Sequence, residues 1–119
     1  MKKQLVRQWF KELEKAWSSK NISEIKDILS SKFIYYEHPF EKPFTTWSQV
    51  EKAWQEIKNQ KIIKLSINPL IYKNLNGSAS YHLKYKDNYG NLHESLGAYY
   101  VKLNRDGRAK EFRQWWVSK

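Results

Sequence analysis

The chain contains no cysteine. That excludes a disulfide scaffold, a thiolate nucleophile and a cysteine-held zinc together, and it fits a reducing compartment. Glycine is scarce, four in 119 residues, and no Gly-rich phosphate loop is built from them. Long apolar runs are missing as well. The opening MKKQLVRQWF carries charge but not the hydrophobic stretch of a signal peptide, and no segment approaches the length that spans a bilayer. A soluble, cytoplasmic protein with no membrane partner is expected. With 119 residues there is enough chain for one core and too little for a second, so residues 1–119 read as a single domain.

What is present is aromatic and basic. Six tryptophans, eight tyrosines and five phenylalanines make 16% of the chain, which argues for a folded globule, because a disordered chain lacks such residues to bury. In a small domain they either fill a core or line a cavity for a flat apolar ligand, and composition leaves both open. Lys and Arg outnumber Asp and Glu by 22 to 12, a net charge of +10. Such a balance suggests an anionic partner. The lysines are scattered, however, with no basic block and no zinc-finger spacing, so nucleic-acid binding is the weakest of the readings.

Between Lys3 and Ser19, apolar residues recur at three- and four-residue spacings (Leu5, Val6, Trp9, Phe10, Leu13, Ala16, Trp17), which predicts an amphipathic helix. Asn21 with Glu24 three residues later predicts the start of a short second helix. Ser48 with Glu51 reads as the capping box of a third, which carries Val50, Ala53, Trp54 and Ile57 and ends near Asn59. Phe33–Tyr36 is a β-type run. After the third helix the period drops to two. Strands are predicted around Ile63–Ile67, with Pro69 as a bulge or edge kink, then over Ala79–Lys86, His93–Leu103 and Ala109–Val117. Asp87–Asn91 and Asn104–Gly107 are the turns between the last three. Three helices followed by four longer hairpin-joined strands make an α+β fold, its sheet covered by the Trp9/Leu13/Trp17 stripe.

The segment YYEHPFEKPF sets Glu37 beside His38 between aromatic pairs and two prolines. Pro39 and Pro43 bias the residues before them toward extended backbone. Neighbours on an extended chain point to opposite sides, so at most one of Glu37 and His38 faces a pocket. The segment reads as a rim loop anchored by Tyr35, Phe40 and Phe44. His82 and His93 flank the Asp87–Asn91 turn, but a zinc site would need them to converge with His38, and no metal is expected. Alternation puts Phe112, Gln114 and Trp116 on one face of the last strand, and Tyr99 and Val101 on one face of the strand before. These five, with Trp54, are assigned to the inner side, where they line a pocket or fill a dry core. Tyr100 and Trp115 fall outside. An outer face that also carries aromatics suggests a homodimer through the sheet.

Four stretches, WFKELEKAWSSKNISEIKDIL, YYEHPFEKPFTTWSQVEKAW, LGAYYVKLNRDG and GRAKEFRQWW, resemble in order and spacing the nuclear transport factor 2-like superfamily, and within it the SnoaL-like, polyketide cyclase-like proteins. The resemblance implies a cone: a curved, mostly antiparallel sheet wrapped around the long N-terminal helix, with an apolar pocket at its open end. It also implies a family that includes ketosteroid isomerases, polyketide cyclases, epoxide hydrolases and dehydratases, beside members that only bind partners. The catalytic aspartate of the isomerases precedes the comparable proline and corresponds to His38 here, which could act as a general base. Their helical tyrosine falls near Leu13, which cannot donate, and their second acid falls at Tyr99. Two acids common in SnoaL-like sequences are replaced by Leu96 and Gln114. The resulting reading is a homodimeric cone that binds a small apolar or aromatic molecule. Glu37 or His38 would stand at its mouth, with Tyr99 and Gln114 as donors inside. The chemistry would be lyase, isomerase or hydrolase chemistry with no cofactor. The competing reading is a non-catalytic interaction module.

Overall fold

A computed structural model describes residues 4–118. Helix α1 (Leu5–Ser19) buries Val6, Trp9, Phe10, Leu13, Ala16 and Trp17, the stripe its spacing predicts. Lys3, where the periodic pattern begins, lies outside the described residues. The helix starts with the Gln4 side chain accepting from the Val6 N–H, and it stops where Lys20 turns left-handed (φ 59°) and returns its N–H to the carbonyls of Ala16 and Trp17. Helix α2 (Ile22–Ile28) is capped by Asn21, as expected. The Trp9 indole donates to the Ile28 carbonyl at 2.8 Å and pins α2 to α1.

Strand β1 (Leu29–Tyr36) starts four residues before the predicted β run. Helix α3 (Trp47–Lys58) starts earlier than predicted too: Thr46 is its N-cap, not Ser48. The Gln49 Oε1 accepts from the N–H groups of Thr45 and Thr46 at 2.8 and 3.2 Å, and that bond sets the boundary. Four strands follow as an antiparallel meander: β2 (Lys61–Lys73), β3 (Asn76–Lys86), β4 (Leu92–Leu103) and β5 (Ala109–Ser118). The sheet order is β1-β5-β4-β3-β2, with β1 and β5 parallel and the rest antiparallel. Pro69 lies on the edge strand beside a break in register between Pro69 and Ile71, where its missing N–H costs the ladder least. Both later turns fall where predicted. Asp87 Oδ1 accepts from the N–H groups of Tyr89 and Asn91, and Gly107 takes φ 87°.

The chain is therefore an α+β cone with α1 lying across the inner face of a curved, mostly antiparallel sheet. One end is closed by rings: Trp9 lies 5.2 Å from Phe112, Phe112 5.1 Å from Tyr99 and 4.9 Å from Tyr35, and Phe10 is stacked on Tyr99 at 6.3 Å. Along β5 the inner face runs from buried Phe112 through half-buried Gln114 to exposed Trp116, so the packing loosens toward the C-terminal end of the strand. The cone opens there. Among the described residues no helix is long and apolar enough to cross a membrane.

Candidate functional site

At the open end a cleft of about 200 Å³ lies between α3 and the sheet. Each element contributes through its own periodicity. β1 brings Phe33 and Tyr35 to one side, both buried, and Glu37, the residue just past its end, continues that spacing of two inward. Glu37 lines the cleft. His38 does not. The chain bends after β1, and the His38 Nδ1 accepts from the Phe40 N–H at 3.2 Å, which places the proton of a neutral imidazole on Nε2. Its ring meets the edge of Trp116 at 5.8 Å, outside the lining.

The rim loop is closed at its base, where Tyr35 and Phe44 exchange two backbone hydrogen bonds of 2.9 and 2.7 Å. Tyr35 and Phe44 anchor it as expected. Phe40 does not: its ring is 93% exposed at the tip, because the turn closed by Glu41 N–H on the His38 carbonyl points it away from the core.

Of the six residues assigned to the inner side, Trp54, Gln114 and Trp116 line the cleft. Tyr99, Val101 and Phe112 are also on the inner face but lie deeper, in the packed core, and form no part of the wall. Alternation fixes which side they face, whereas depth depends on where α1 crosses the sheet. Residues not singled out for the site complete it: Trp17 from the last turn of α1, Tyr35, Glu56 from α3, and Tyr81 and Tyr85 from β3. Tyr81 is placed by register, since it pairs with Gly97, over which its ring can lie. The signal for Tyr35 was present in the sequence, two residues before Glu37 on one strand.

The polar groups are organised around two phenols. The Trp54 indole donates to the Tyr35 hydroxyl at 3.4 Å, and the Gln114 amide donates to the Tyr81 hydroxyl at 3.2 Å. Each phenol so held keeps its own proton to donate. Burial pushes Tyr81 up to about 12 and Tyr35 further, so both stay protonated and act as donors rather than bases. Glu37 is raised above the ordinary glutamate value, first by burial, then by Glu41 and Glu56, against a smaller pull from His38. A carboxyl poised above its usual range, in a cleft also lined by two protonated phenols, can take or give a proton and hold a polar ligand atom. The Tyr99 hydroxyl, one layer below, is buried without a hydrogen-bond partner.

Neither of the other histidines lines the cleft. His93 pairs with Tyr85 across the β3–β4 ladder, and its Nε2 lies 2.8 Å from Asp87. His82 pairs with Leu96 on the opposite face and lies 2.6 Å from Glu94. Among the described residues no three of His, Cys, Asp and Glu converge as a metal group would require.

No protein family and no curated protein matches the chain by sequence. Solved structures do match. A Δ5-3-ketosteroid isomerase from Mycobacterium sp. superposes with a TM-score of 0.83 at 7% identity, covering 98% of this chain and 100% of its own. A Mycobacterium tuberculosis protein in complex with estradiol-17β-hemisuccinate gives 0.82 at 8% identity, over 94% of this chain and 93% of its own. A nuclear transport factor 2-like protein of unknown function from Burkholderia pseudomallei gives 0.75 at 12% identity, over 94% and 90%. At such identities the likeness is one of fold, and the fold of this chain is nuclear transport factor 2-like.

Proposed function

We propose that this chain binds a small organic molecule in the cleft beside α3, and that Glu37 exchanges a proton with it. The observation that carries the reading is a carboxyl of raised pKa lining a cleft that Tyr35 and Tyr81 also line. One acid–base group and two fixed donors suit proton-transfer chemistry of the isomerase, lyase or hydrolase type. The structural likeness to an isomerase and to a steroid-bound protein supports a small-molecule ligand. Size points away from steroids. A cavity of ~150 Å³ holds benzene, whereas drug-sized ligands occupy roughly 300–1,000 Å³. A cleft of about 200 Å³ suits a molecule of one ring or its acyclic equivalent. The sequence resemblance favours the SnoaL-like branch of the superfamily, and Leu96 and Gln114, standing where acids are common there, count against that branch's acid–base chemistry and leave the role to Glu37.

A thermal-shift screen of one-ring compounds tests the binding. A ligand present at ~100 times its Kd stabilises the folded state by about 2.7 kcal/mol and raises the melting temperature. Glu37→Gln should retain binding of neutral hits and abolish turnover of any substrate found among them. A screen with no hit whose effect depends on Trp54 or Gln114 would remove the reading. The outer face of the sheet supports assembly besides, and we assign it to a second copy of the chain.

A further inference from the structure

The charge of the cleft runs against the charge of the chain. Lys and Arg supply 22 of 119 residues, yet none of the residues lining the cleft is basic, and two, Glu37 and Glu56, are acids. Glu41 adds a third negative charge acting on Glu37. Among the described residues no Lys or Arg forms an ion pair with Glu37 or Glu56. Glu37 is half-buried, with only a smaller pull from His38 against its acidic neighbours, and a cation brought by a ligand offsets the cost of that burial. The walls are suited to the same guest. Trp17 and Trp54, packed on each other at 5.6 Å, and Tyr81, 6.3 Å from Trp17, form an aromatic wall of the space that Glu37 borders, with Tyr85 and Trp116 also in its lining. The negative face of an aromatic ring attracts an ammonium group, most strongly where water is excluded. An anion would meet Glu37 head on. A neutral guest would bury that carboxylate further without supplying a counter-charge.

We infer that the cleft selects a small organic cation, an ammonium group on a body of about one ring, with its charge against Glu37 and its apolar surface against the aromatic wall of the cleft. The inference rests on the cleft being a small-molecule site and specifies the charge of the molecule.

The experiment is a calorimetric or NMR titration at neutral pH and low salt with three probes of one shape: benzylamine, benzyl alcohol and benzoate. Benzylamine should bind at least about tenfold more tightly than benzyl alcohol, with benzoate weakest. Bulk electrostatics of a +10 protein favours the reverse order, so non-specific attraction cannot mimic the result. Glu37→Gln should erase the preference for benzylamine while benzyl alcohol binds as before, and Glu56→Gln should reduce it in part. A circular-dichroism melt of each variant shows that it is folded. Equal or tighter binding of benzyl alcohol or benzoate overturns the charge assignment and leaves the small-molecule reading standing. A preference unchanged in Glu37→Gln overturns it too. No binding by any of the three, together with an empty thermal-shift screen, overturns both.

Discussion

Glu37 leaves water for the cleft beside Glu41 and Glu56, with His38 the one group pulling the other way, and its carboxyl is held above its ordinary value. A group whose pKa is higher folded than unfolded stabilises the fold below its unfolded value, about 4.3 for glutamate, and loses that contribution as pH rises through the folded value. At pH 7 the ionised side chain is therefore a burden on the ligand-free protein. Glu37→Gln should melt at a higher temperature than the parent at pH 7, and the gap should close below about pH 4. A variant less stable at pH 7 would show that the carboxylate has a stabilising partner in the free protein, and would contradict the unpaired site. Tyr99 presents the complementary case. Its ring is 1% exposed and packed against Phe10, Tyr81 and Phe112, but its hydroxyl has no partner. An unmet buried hydroxyl costs roughly 1–3 kcal/mol, so Tyr99→Phe should be neutral or stabilise by about 1 kcal/mol in urea unfolding. A loss above about 1 kcal/mol would mean that the hydroxyl is bonded.

At the scale of the element, β4 positions the site by what Gly97 lacks. A Cβ there would collide with the Trp115 carbonyl and lie 2.5 Å from Tyr81 Cε1, so only glycine lets the Tyr81 ring settle across the strand. Gly97→Ala should cost about 1–3 kcal/mol as overpacking and weaken ligand binding by shifting the Tyr81 hydroxyl. If denaturation and titration are both unchanged, the close approach is not needed. The same elements show what could be read in advance. The α1 stripe, the Asp87–Asn91 and Asn104–Gly107 turns and the edge position of Pro69 are written in local chemistry, and each is where its residues predict. The parallel pairing of β1 with β5 is not, because its partners Tyr35 and Phe112 carry no local mark of one another. The polar stretch Ser30-Ser31-Lys32 hides the first half of β1, since it alternates nothing. Thr46–Gln49 and Ser48–Glu51 compete as caps with the same spacing, and only the bonds to Gln49 separate them. The site was legible to the same depth. Buried Phe33 and Tyr35 carry the alternation one step past β1 to Glu37, whereas His38 is turned away by a bend where extended backbone was expected. Tyr81 and Glu56 enter the cleft through strand register and helix placement, which no short motif encodes.

For the whole molecule, a net charge of +10 sets the terms on which two copies can meet. Most of the surface would repel its like. On the outer face of β4 and β5, Leu96 pairs with Val117 and Ala98 with Trp115, an uncharged strip whose large members are 52%, 69% and 42% exposed for Leu96, Val117 and Trp115. Contiguous exposed apolar surface of this kind is where the proposed assembly would form, and it is also where bringing two positive copies together costs least. A two-fold contact sets the same strip of each copy against the other. The expected mass by light scattering is twice 14.4 kDa. Added salt should strengthen the dimer, because it screens the repulsion between +10 bodies while leaving the apolar contact intact. Leu96→Lys should give a monomer whose cleft still binds ligand, since that side chain faces away from it. A parent monomeric up to millimolar concentration would rule the dimer out. A Leu96→Lys variant that still dimerises would shift the interface to the β2 edge, where Leu70 and Ile71 are also exposed.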